Sequence, residues 1–146
     1  MTYPLEPMNT VQEREASLKE ELEAFDDWKE RYAFILDLGD DLEEMPEILK
    51  VDANKIKGCV SQVWLFFQLK DGKMSFMADS DSLFVKGLVA VMVKIYSGLT
   101  PEEIIASKSN FLMDSGLVQN LSPNRANGAA AMQARIHQYA HEKRQA

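Results

Sequence analysis

Cysteine is almost missing from this sequence: one residue, Cys59, in 146. That excludes an intrachain disulfide framework. It also excludes zinc ribbons and all-cysteine clusters, which need several thiolates from one chain. Long apolar runs are missing too. The longest unbroken aliphatic stretch is Leu88–Val93, well short of the ~20 residues that span a bilayer. The opening MTYPLEPMNT has neither a basic nor an apolar region, so no signal peptide is read and the expected location is cytoplasmic. Positive charge is in deficit: 16 Lys and Arg against 23 Asp and Glu give a net charge of −7. Such a surface repels phosphate backbones and anionic membranes, so neither nucleic acid nor membrane is an expected partner. There is no Gly-x-Gly-x-x-Gly, phosphate loop or Gly-x-Ser-x-Gly elbow. Nucleotide binding and serine hydrolysis therefore have no support, and no cofactor or metal is expected.

What is present reads as one globular domain over residues 1–146, with 1–9 expected to be flexible; 46% of residues are hydrophobic and 27% charged. Thr10-Val-Gln-Glu13 has capping-box form, followed by Val11, Leu18, Leu22 and Phe25 on one helical face. Asp26 or Asp27 can cap a second helix with Trp28, Tyr32 and Ile35 inward, and Gly39 can end it in the left-handed conformation. Asp40 to Asn54 is acidic and irregular, broken by Pro46. The period then switches to alternation. Val63, Leu65, Phe67 and Leu69 share one face, with partly apolar residues on the other, as in a central strand. Asp71-Gly72 signals a hairpin, and Met74–Ala78 returns. Asn54–Lys57 is expected as a short third strand. Ser80 or Asp81 can cap a helix carrying Leu83, Phe84, Leu88, Val91, Met92 and Ile95, ended by Gly98. Thr100-Pro-Glu-Glu103 opens another helix. Ser122-Pro123 opens the last, with Ala126, Ala129, Met132 (or Gln133), Ile136 and Tyr139 at helical spacing. The expected fold class is α+β, an α/β sandwich in which a small three-stranded antiparallel sheet is packed by N- and C-terminal helices.

Three groups of residues can carry chemistry. Cys59 is either a small buried hydrophobe or a reactive thiol. Gly58 permits a sharp turn, Lys55 and Lys57 favour the thiolate, and Ser61 adds a hydroxyl. Asp79-Ser80-Asp81 is a helix cap, a set of polar groups facing the cysteine, or both. His137 and His141 share a helical face at i, i+4, but no Glu follows His137 and no third ligand is evident. A solvated face accounts for them. A cysteine reading admits a sulfur carrier or a single-cysteine redox sensor; an inert cysteine would leave a non-catalytic interaction module.

The block Gly58-Cys59-Val60-Ser61-Gln62-Val63-Trp64 resembles the signature of the SufE family of sulfur acceptors. Asp79-Ser80-Asp81 with Val85-Lys86-Gly87-Leu88 resembles its second block. Leu99-Thr100-Pro101-Glu102-Glu103-Ile104 resembles its third, and Leu121-Ser122-Pro123-Asn124-Arg125-Ala126-Asn127-Gly128 its last. Tyr32 to Gly39 is similar to the family's second helix. The likeness runs from about Trp28 to the last helix, with order and spacing kept. It implies a fold similar to that of the IscU scaffold, with the cysteine on a loop at one end of the sheet. It further implies that Cys59 takes sulfane sulfur from a pyridoxal-phosphate cysteine desulfurase of SufS-like or CsdA-like kind, stimulates that enzyme, and passes the sulfur to an iron–sulfur scaffold complex. By the same resemblance Gly58, Ser61 and Asp81 support the loop, and Arg125 lies near the partner surface. Val60 stands where many members carry Gln or Thr, a neighbour expected to tune the loop.

Overall fold

Thr10 closes a full capping box: its hydroxyl accepts from Glu13 N at 3.0 Å, and Glu13 Oε1 accepts from Thr10 N at 3.1 Å. This fixes the start of α1, Val11–Glu23. The computed structural model describes residues 10–58, 61–107, 111–117 and 123–144. Expectations placed on residues 1–9, Cys59, Val60, the Ser122 cap and the Arg125 side chain lie outside what it describes. α1 buries Val11, Leu18 and Leu22, as its spacing requires. Phe25 falls beyond the helix and packs against the Phe34 ring at 5.6 Å. On the flank of α1, Arg14 Nη1 donates to Ile95 O and Ser97 O at 3.0 and 2.6 Å, carbonyls at the C-terminal end of another helix, where a cation is favoured.

α2 spans Trp28–Asp40, with the Asp27 carboxylate accepting from Glu30 N. Gly39 does not end it. It lies inside the last turn, buried and without positive φ. The reason is packing: a Cβ on Gly39 would sit 2.9 Å from Gly87 N, and one on Gly87 would sit 2.4 Å from Ile35 O. Gly87 belongs to α3, Leu83–Tyr96. The two glycines let α2 and α3 cross almost backbone to backbone.

β1 (Val63–Lys70) and β2 (Lys73–Ser80) pair antiparallel from Val63↔Ser80 to Lys70↔Lys73. The turn is the expected one, with positive φ at both central residues, Asp71 (54°) and Gly72 (79°). The expected third strand is corrected. Among the described residues the sheet has two strands, and Asn54–Lys57 contributes only one bridge, Lys55↔Trp64, with Ile56 N donating to Val63 O at 2.8 Å. A 3-10 turn over Asp52–Asn54 on one side and Gly58 at φ 92° on the other leave too little extended backbone for a ladder. Among the described residues β1 is therefore not a central strand; its far edge meets only that bridge.

α3 carries the centre of the core. Leu88, Val91, Met92 and Ile95 are buried as expected, whereas Leu83 is 69% exposed in the first turn. Leu69, near the hairpin turn, is exposed as well. Gly98 (φ 82°) follows the Ser97 cap. α4 (Pro101–Ala106) has Pro at its first position and a second capping box, Thr100 with Glu103. α5 (Phe111–Asp114) is short, and α6 (Pro123–Arg144) closes the fold. α6 buries Ala129, Met132, Ile136 and Ala140 and stacks Tyr139 on Phe67 of β1 at 4.0 Å and 18°. Helices and sheet share one apolar cluster, so the α+β class holds with a smaller sheet. Among the described residues no helix is long and apolar enough to cross a membrane.

Candidate functional site

Hydrogen bonds at the open end of the sheet hold both ends of the stretch 56–62, within which Cys59 falls. Ile56 N to Val63 O secures one side of its base. Asp81 secures the other: its backbone N–H donates to Gln62 O at 3.2 Å, and its Oδ1 accepts from Gln62 N at 3.0 Å. One residue thus satisfies both backbone groups of Gln62, three positions after Cys59. Gly58, with φ 92°, adopts a conformation that L side chains rarely take. Gly58 and Ser61 line a cleft of about 790 Å³ together with Lys55, Ile56, Lys57 and Gln62.

The Asp79-Ser80-Asp81 triplet divides its work. The cap of α3 is Ser82, whose hydroxyl accepts from Val85 N at 3.3 Å; neither Ser80 nor Asp81 is the cap. Pairing with Val63 keeps Ser80 in β2, which pushes the helix start two residues on. Ser80 Oγ accepts from Ser82 N and so orders the corner. Asp81 is thereby released to clasp Gln62. Asp79 accepts from its neighbour Ser80 N at 2.8 Å, and pairs with Lys50 Nζ at 2.6 Å and Lys86 Nζ at 3.4 Å. Partial burial pushes the Asp79 carboxyl upward, but the Lys50 bond, the Ser80 N–H and the Lys86 charge outweigh it and hold the pKa below the usual carboxylate value. The same bond to Asp79, with a second to Glu47 Oε2 at 2.8 Å, raises the Lys50 pKa. Lys50 also lies 6.0 Å from the centroid of the Trp64 ring. Asp79 thus ties the 3-10 turn Glu47–Leu49 and the start of α3 to β2.

Lys50 is the residue that sequence reasoning missed. Its available signal was being the one base in the acidic stretch from Asp40 to Asn54. Of the sequence-derived candidates, the structure brings Gly58, Ser61 and Asp81 to the same end of the sheet. Arg125 falls in the first turn of α6 by its backbone. The histidines stand apart from this end. His137 Nδ1 lies 3.1 Å from Gln133 O, and its ring meets Tyr96 edge-on at 5.6 Å, while His141 is exposed. No group of three His, Cys, Asp or Glu able to hold a metal occurs among the described residues.

Comparison with known proteins covers most of the chain. The model of the family described as SufE, Fe–S metabolism associated domain, matches residues 16–140. An uncharacterized SufE-like protein of Synechocystis is 44% identical over 113 residues, covering 77% of this chain and 71% of that one. SufE-like proteins of Rhizobium etli and Rhizobium meliloti are 40% and 39% identical, covering 90% and 83% of their own lengths and 86% and 76% of this chain. The solution structure of a hypothetical protein from Thermus thermophilus superimposes with a TM-score of 0.76 over 91% of this chain and 97% of that one, at 15% identity, a likeness of fold.

Proposed function

The chain belongs to the SufE family, which ties it to Fe–S metabolism, and from that premise we propose that it is a sulfur acceptor and carrier. Cys59 receives sulfane sulfur from a pyridoxal-phosphate cysteine desulfurase in the cytoplasm and gives it up to an iron–sulfur assembly scaffold. The observation that carries this reading is the clasp at Gln62. Asp81 is spent on fixing the backbone next to the only cysteine of the sequence, beside a cleft lined by Gly58 and Ser61.

The step is a thiolate exchange. The Cys59 thiolate attacks the outer sulfur of the desulfurase persulfide. The new S–S bond forms at Cys59 as the old one breaks, and the desulfurase cysteine leaves as thiolate. Sulfur oxidation states are conserved, so no external oxidant or reductant enters. Lys55 and Lys57 supply positive potential that favours the anionic nucleophile. A chain with one cysteine offers no second thiol to discharge the persulfide internally. Gly58 lets the backbone turn sharply, Ser61 places a hydroxyl at the cleft, Asp81 pins the base of the loop, and Arg125 meets the desulfurase.

Incubation with a desulfurase and free cysteine, followed by intact mass, tests this reading. Wild type gains a single sulfur. Cys59→Ser folds with an unchanged melting temperature and gains none. Equal stimulation of desulfurase turnover by the serine variant overturns the acceptor role.

A further inference from the structure

A second groove adjoins the cysteine cleft, and its charge runs against that of the molecule. It measures about 580 Å³ and lies between residues 52–57 and the middle of α6, where Arg135 and Gln138 line it. Asp52, Lys55, Ile56 and Lys57 line both spaces, so the two clefts are continuous across one short segment. The groove brings Lys55, Lys57 and Arg135 together against a single carboxylate, Asp52, in a chain of net charge −7. Asp52 neutralises little of this, being exposed and 3.9 Å from Lys55 Nζ.

Arg135 is braced by an aromatic pair. Its guanidinium carbon lies 5.0 Å from the Phe67 ring centroid and 5.7 Å from that of Tyr139. Those rings are fixed against each other, and Tyr139 OH donates to Phe67 O at 3.3 Å. The stacked pair thus braces the guanidinium from one side. Nη1 is shielded from solvent and has no hydrogen-bond partner among the described residues.

We propose that this groove receives an acidic segment of the desulfurase, with Arg135 gripping a carboxylate and Lys55 and Lys57 flanking it. The proposal rests on the acceptor reading above. The groove is open and several side chains long, which suits a protein segment rather than a free amino acid. The acidic remainder of the surface repels the same segment, so the groove sets the orientation in which the cysteine end meets the partner.

The test is titration calorimetry of the full chain against purified SufS-like and CsdA-like desulfurases at two salt concentrations. Arg135→Gln, and separately Lys55→Glu with Lys57→Glu, should raise Kd about ten- to a hundredfold and flatten its salt dependence, as loss of a charge-assisted bond implies. Lys73→Glu, at the opposite end of the sheet, should leave Kd unchanged. Glutamate added as a competitor should leave binding by wild type unaffected; displacement by glutamate would assign the groove to free amino acids and overturn the proposal. Wild-type binding that neither variant weakens overturns it while leaving the acceptor reading intact. If wild type binds no desulfurase, both fall. Should Arg135→Gln melt early, the exposed-lysine pair decides alone.

Discussion

Asp81 shows how little of a residue's role its identity reveals. As an Asp just before a helix it has the credentials of a cap, yet it caps nothing and binds Gln62 by both of that residue's backbone groups. The structural cost of removing it should be small, because both partners are exposed. Asp81→Ala is expected to leave the melting temperature within a degree or two, speed amide exchange at Gln62, and slow sulfur transfer. Arg125→Ala should likewise spare stability and weaken partner-dependent transfer by about ten- to a hundredfold, the loss of one charge-assisted hydrogen bond. Paired transfer assays and melting curves check both. Normal transfer, or a melting loss large enough to explain the defect, would assign these residues to surface or scaffold.

At the scale of elements, the parts with local grammar were legible and the parts set by neighbours were not. The Thr10 capping box, the Asp71-Gly72 turn and the Pro start of α4 follow from short-range chemistry, and each occurs where the sequence places it. Gly39 was misread because a glycine near a helix end signals termination locally, while its use here depends on Gly87 on another helix. The third strand failed for a similar reason: Asn54 is drawn into a 3-10 turn and donates its side-chain amide to Leu49 O. In the site, Gly58, Ser61 and Asp81 were legible from one block and its partner block. Lys50 was not, since its contact with Asp79 spans the fold. That tether gives a pH prediction. Asp79 has its pKa lowered by folding, so its contribution is full above the unfolded value of ~3.9 and is lost as pH falls through the folded value. Wild type should lose stability below about pH 4 more steeply than Asp79→Asn, which should melt a few degrees lower at neutral pH. Parallel thermal melts from pH 7 to pH 3 measure this; identical slopes would remove Asp79 from the account.

For the whole molecule, α3 is the common wall. It packs against α2 on one side and faces β2 and α6 on others, and Arg14 of α1 holds its last carbonyls. Its crossing with α2 is closer than side chains allow. Gly87→Ala forces a Cβ to within 2.4 Å of Ile35 O, and no rotamer relieves a backbone clash. The expected loss is about 2–4 kcal/mol, a large share of the roughly 5–15 kcal/mol that holds a domain of this size. Urea unfolding should show the midpoint falling with the slope kept. A midpoint within error of wild type would mean that α2 and α3 can part without cost.

Ile56 and Gln62 are fixed pegs on either side of Cys59 in the sequence. Three peptide links separate Cys59 from either peg, and covalent geometry caps three residues at ~10–11 Å however the chain is drawn out. For the acceptor role proposed above this sets a bound: a donor sulfur recessed further from those pegs than three residues plus the side chain can cover is out of range. Lengthening is thermodynamically mild, since doubling such a loop costs only about 0.6 kcal/mol, while one residue added on each side of Cys59 extends the line by ~3.3–3.6 Å. Reach can thus be retuned to a deeper or shallower donor without disturbing the anchored sheet behind it.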